Sequence, residues 1–210
     1  AVFGDVMSDD FIDLTITSLI NILSSPPPIF LLTDSSSSSI DPQIQTPLFF
    51  LFSQMIDMFN ESKFESFFGR ICELFLSYIN NDGKSVILRC NAILASAHLI
   101  ASCPSLFSES DTFCQIVLNA AIQVIMSSQS SEANILIAKS VKYLVIHDKN
   151  LLKQRLPMLI EFSADIIENC GYFGLFCTLL MAYNEIIELK DHFDKILKFV
   201  EFLPPPPDSE

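Results

Sequence analysis

The side chains of this 210-residue chain best suited to chemistry are six cysteines, three histidines and a run of carboxylates near its start. Cys170 and Cys177 lie across the start of a helix, where a reactive thiol would need a cationic neighbour to hold it as thiolate. No such neighbour is near in sequence, so the pair reads as structural. His98, His147 and His192 are far apart, with no carboxylate or thiol at metal-ligand spacing. Only assembly across helices could make a metal site of them. Asp9, Asp10 and Asp13 crowd the first turns of a helix, where negative charge complements the macrodipole. Five scattered glycines, Gly4, Gly69, Gly83, Gly171 and Gly174, make neither a P-loop nor a dinucleotide fingerprint. HExxH, an EF-hand loop and GxSxG are also missing from the sequence. The expectation is a protein that catalyses nothing and holds no cofactor or metal.

Most of the cysteines fall inside apolar helical patterns, without a CxxC pair. Free cysteine of this kind behaves as a small buried hydrophobe, which suits a reducing compartment. The formal net charge is −13. Residues 1–83 carry Lys63 and Arg70 against eleven acidic side chains. Such a surface repels nucleic-acid phosphates and anionic lipid, and attracts basic ligands at long range. One local exception stands out: Lys139, Lys142, Lys149, Lys153 and Arg155 accompany only Asp148. They read either as a docking patch for an acidic partner or as a solvated helix edge. Residues 112–131 are uncharged and long enough to span a bilayer. The amides Gln115, Asn119 and Gln123 make a buried helix the better reading, so no membrane insertion is expected.

The elements that must position these groups are helical. Half of the residues are hydrophobic, and few glycines and few alternating runs argue against an all-β fold. The segment 1–23 reads as the first helix (9–23) of an acidic leading repeat, and 24–46 as a Pro/Ser-rich low-complexity loop. Residues 204–210 form a Pro-rich tail, which together with Ala1 at the start suggests a piece of a longer protein. Within 47–203, apolar residues recur at helical spacing. Helices are predicted at 46–60, 63–80, 84–102, 111–127, 132–147, 150–169, 172–189 and 191–203. "SESD" at 108–111 offers an N-cap and "NCG" at 169–171 a glycine stop.

Taken in twos, the helices form units beginning near 63, 109, 151 and 191, steps of 46, 42 and 40 residues. Two-helix repeats of about 40–47 residues are the period of HEAT-type solenoids. The expected fold is therefore all-α, a HEAT-like solenoid of four to five helix pairs. "LRCNAILASAHLIASC" (88–103) fits it, having four alanines and no aromatic residue. An inner helix flanked on all sides needs apolar and small residues nearly all round.

Residues 46–189 resemble the middle repeats of the importin-β superfamily of nuclear transport receptors, in particular the cytosolic importins and the exportin that recycles importin-α. "PLFFLFSQMIDMF" (47–59) leads through "FFGRICELFLSYI" to "VILRCNAILASAHL" (86–99), where Leu88, Arg89, Cys90, Ile93 and Leu94 carry the match. Downstream, "ANILIAKSVKYLV" (133–145) and "LPMLIEFSADIIENC" (156–170) match at Ala138, Val141, Leu144, Pro157 and Met158. "AVFGDVMSDDFIDL" is similar to the acidic, aromatic segment before these repeats. The family's tryptophan is replaced by Ala92, its second arginine by Ile87 and its Pro-Val by Ile135-Leu136.

The resemblance implies a non-catalytic scaffold that binds basic cargo and Ran-GTP, contacts phenylalanine-glycine nucleoporins, and works in cytoplasm and nucleus. Partner-facing residues would come from the second helix of each pair: Arg89 and Ser96, then Lys139 and Lys142, then Asn184, Glu185 and Glu188. The alternative is a HEAT or armadillo scaffold of a phosphatase, cohesin-type or vesicle-coat assembly.

Overall fold

In a computed structural model of the chain, the structure describes residues 8–24, 42–81, 85–107 and 111–183. Helices and short connections account for all of them, with no strand among the described residues, so the expected all-α class holds. α1 (Asp9–Ser24) buries Ile12, Ile16, Leu19, Ile20 and Leu23, one stripe at helical spacing. α2 (Pro42–Met58) starts inside the segment expected to be loop. Pro42 opens its first turn, where a missing N–H costs no intrahelical bond. Residues 25–41 and 204–210 lie outside the described residues.

The helix predicted at 63–80 is shorter than expected. Two 3-10 turns, Glu61–Lys63 and Glu65–Phe67, precede α3 (Phe68–Ile79). Phe64 and Phe67 are both buried there, and the three-residue 3-10 repeat places side chains at i and i+3 on one side. α4 (Val86–Ser102) follows, with the Ser85 hydroxyl accepting from the Leu88 N–H at 3.2 Å. A single turn, α5 (Pro104–Phe107), leads towards α6 (Asp111–Ser127). α7 (Ser131–His147) is capped by the Ser130 hydroxyl, which accepts from the Ala133 N–H at 3.3 Å.

The helix predicted at 150–169 is divided. It forms a turn, α8 (Lys149–Leu152), a 3-10 turn at Lys153–Arg155, and α9 (Leu156–Cys170). Pro157 explains the break, because inside a continuous helix its ring would strike the carbonyl four residues back. In the first turn of a new helix it does no harm. The expected glycine stop is present: Gly171 takes φ 64° and donates its N–H to the Ile167 carbonyl. α10 (Gly174–Ala182) ends the described chain at Tyr183; the rest of the helix expected at 172–189, and the one at 191–203, lie outside the described residues.

The helices pack in sequence order. α1 meets α2, α3 meets α4, α6 meets α7, and α9 meets α10. Between pairs, α2 lies against α4, α4 against α7, and α7 against α10, while α1, α3 and α6 follow one another beside them. α4 has α2, α3, α6 and α7 around it. This accounts for its composition: Ala92, Ala95, Ser96 and Ala97 are fully buried, and small side chains let the surrounding backbones approach. Phenylalanine fills the wider gaps elsewhere. Phe49 packs edge-on to Tyr78 at 5.0 Å and Phe52 to Phe75 at 5.2 Å, joining α2 to α3.

Polar contacts join α1 to the elements that follow. The Tyr78 hydroxyl donates to the Leu23 carbonyl at 2.8 Å, Arg70 donates to the Asn21 side chain at 3.1 Å, and Lys63 pairs with Asp9.

Candidate functional site

A groove of about 340 Å³ runs over α2, α4 and α7. Its walls differ in chemistry. α2 supplies Phe50, Gln54 and Asp57, α4 supplies Asn91, Leu94 and His98, and α7 supplies Lys139, Lys142 and Tyr143. The spacing within each helix explains the convergence, since residues three and four apart share a face.

His98 anchors the floor. Its side chain is 5% exposed, and Nε2 lies 2.8 Å from Asp57 Oδ1. An ionised carboxylate only accepts, so Nε2 carries the hydrogen and donates it. The ring also stacks on Tyr143, with centroids 4.4 Å apart and planes 21° from parallel. Burial pushes the Tyr143 phenol up, and the Asp57 charge adds to it. Burial likewise raises Tyr172, with Tyr143 as a further cause. Both phenols are therefore neutral hydroxyl donors at physiological pH. The sequence places no carboxylate at metal-ligand spacing from His98; Asp57 is 41 residues away, and only the α2–α4 packing joins them.

The residues expected to face partners are distributed as follows. Lys139 and Lys142 both line the groove. Arg89 turns the other way and donates from Nε to the Ile79 carbonyl at 3.1 Å, at the end of α3. Ser96 cannot meet a partner, because it is 0% exposed and donates to the Ala92 carbonyl at 2.8 Å. It shares the seven-residue register of Arg89, but that side of α4 is covered by neighbouring helices. Asn184, Glu185 and Glu188 lie outside the described residues.

A second hollow, about 390 Å³, lies among α6, α7 and α9, and Asp165 is its one charged lining residue. Among the described residues no group of three or more His, Cys, Asp or Glu could hold a metal ion. Burial pushes the Cys72, Cys90 and Cys103 thiols up to about 12, so at neutral pH they are packing groups and not nucleophiles. Cys177 is exposed. No helix among the described residues is long and apolar enough to cross a membrane.

Comparison of the chain with protein-family models, with curated proteins and with solved structures found no significant match.

Proposed function

We propose that this chain is a segment of a HEAT-like helical-repeat solenoid that binds other proteins and catalyses no reaction, with the α2–α4–α7 face as its binding surface. The observation that carries this reading is the packing order: each helix pair meets mainly the pairs adjacent to it in sequence. Stacks of this kind present long surfaces built from one helix of every repeat, suited to extended partners. The groove falls on that row of helices.

Within this class, the resemblance at 46–189 supports an importin-β-like nuclear transport receptor. Such a protein would bind basic cargo, Ran-GTP and phenylalanine-glycine nucleoporins and move between cytoplasm and nucleus. Partner binding would shift the curvature of the stack, as ligands shift populations among pre-existing conformations. The matched positions Leu88, Cys90, Ile93, Ala138, Val141 and Leu144 are all buried. They are packing positions that other helical-repeat scaffolds share, which favours, as the second reading, a scaffold subunit of a phosphatase, cohesin-type or vesicle-coat assembly.

Immobilised chain incubated with Ran loaded with GTP or GDP, and with a phenylalanine-glycine repeat, tests the transport reading. GTP-dependent retention of Ran together with retention of the repeat is expected. Failure of the correctly folded chain to retain either would overturn transport and leave the general scaffold reading. Small-angle scattering giving the profile of a closed bundle would remove both.

A further inference from the structure

The groove carries a more specific reading, which rests on its being a protein-binding face. We infer that it takes an extended acidic peptide segment of a partner protein, with carboxylates on alternate residues facing Lys139 and Lys142 and an apolar residue between them.

Charge is the first argument. Lys139 and Lys142 line the groove, and neither has an ion-pair partner among the described residues. The acidic residue in the lining, Asp57, sits on the α2 side and is engaged by His98 at 2.8 Å. A chain with net charge −13 thus turns two ammonium groups, against the single carboxylate of Asp57, into one concavity. Its overall acidity attracts basic proteins at range, whereas this wall selects the opposite sign.

Spacing is the second. Residues three apart on a helix face hold their Cβ atoms about 5–6 Å apart. Alternate residues of an extended chain lie about 6.6 Å apart on one side. A carboxylate–x–carboxylate segment laid along α7 therefore reaches both lysines. The intervening side chain points away from α7, towards Phe50, which is 65% exposed, and the half-buried Leu94. The Gln54 amide can donate and accept along the same groove for peptide backbone.

Size and composition exclude simpler occupants. An inorganic phosphate would fill little of about 340 Å³ and leave Phe50 wet. Nucleic acid and anionic membrane would lay many negative charges over the surrounding acidic surface, whereas a short peptide segment brings only the two carboxylates that the lysines can meet.

The test is fluorescence anisotropy of the full chain with a labelled peptide of alternating aspartate and leucine. Saturable binding is expected. It should weaken with salt and fall at least tenfold in the Lys139→Gln/Lys142→Gln double variant, which keeps much of the side-chain stems and should leave circular dichroism unchanged. A peptide of the same composition with its aspartates consecutive should bind several-fold more weakly.

Absence of binding by the alternating peptide, or equal affinity of the double variant, would overturn the inference. Displacement by millimolar phosphate as complete as by unlabelled peptide would overturn it in favour of a plain anion site. Binding of a lysine–leucine peptide instead, lost in Asp57→Asn, would overturn the acidic ligand while retaining the face as protein-binding. Failure of every peptide alongside failure of Ran-GTP and nucleoporin repeats would overturn the acidic-peptide inference and the transport reading together.

Discussion

Cys90 and Cys103 sit in the interior, where burial is the largest cause raising their thiols to about 12 from an ordinary 9.0. Nearby charges act second: Arg89 lowers Cys90 while Glu132 raises it, and Glu61 raises Cys103. Two consequences follow from one cause. Iodoacetamide at pH 8 should label exposed Cys177 while Cys90 and Cys103 stay unmodified until the chain unfolds, as peptide mass mapping will read. Labelling of Cys90 as fast as Cys177 would contradict its burial.

The second consequence concerns pH. Between 9.0 and about 12 the folded chain holds thiol protons that the unfolded chain releases. The stabilisation is complete below the ordinary thiol value and is lost as pH rises through that window. The melting temperature should therefore fall on the alkaline side, less steeply in Cys90→Ala than in the unmodified chain. That comparison separates the thiol's share from the phenols, which burial also shifts upward at Tyr78, Tyr143, Tyr172 and Tyr183.

At the scale of the element, α4 decides how closely its neighbours approach. Ala95 is fully buried in a helix packed against α2, α3, α6 and α7. Enlarging it to leucine should cost about 1–3 kcal/mol, as overpacking of a filled interior does. Chemical denaturation should show a lowered midpoint in Ala95→Leu. The same change at exposed Glu168 on α9 should have little effect. Equal responses at the two sites would mean that α4 is not tightly enclosed. The reason for the difference is that Ala95 itself is fully buried among the neighbouring helices, which leaves a larger group no space to turn into. Ser96 belongs to the same argument: its hydroxyl bonds to the Ala92 carbonyl of its own helix, which satisfies it without a partner from outside.

For the whole molecule, the order of packing predicts how the chain comes apart. α1 and α2 touch α3 and α4, whereas α9 and α10 meet α7. In such an arrangement stability is approximately a sum over units and their nearest interfaces, and local opening need not involve distant units. Ile16→Ala removes a fully buried side chain of α1. It should accelerate amide hydrogen exchange in α1, α2 and α3 while leaving α9 and α10 near their original protection. Uniform acceleration through α10 would show a single cooperative core.

Much of this was written in the chain itself. Helical spacing of apolar residues located α1, α4, α6 and α7 within two residues and the ends of α3 and α9 within one, because one buried stripe per helix needs only local sequence. The starts of α3 and α9 were missed by five and six residues. The glycine stop at Gly171 was legible for the same local reason, since its N–H bonds to a backbone carbonyl four residues away, whereas the cap expected at 108–111 falls largely outside the described residues. Lys139 and Lys142 were visible as an excess of positive charge on one helix face. Tertiary structure alone decided what those lysines stand opposite. It brought Asp57 to His98 and Tyr143 to the same ring, buried Ser96 and turned Arg89 onto the end of α3. A helix face can be computed from a period, but which of its sides faces water depends on where the next helices lie, and that is settled by packing between residues far apart along the chain.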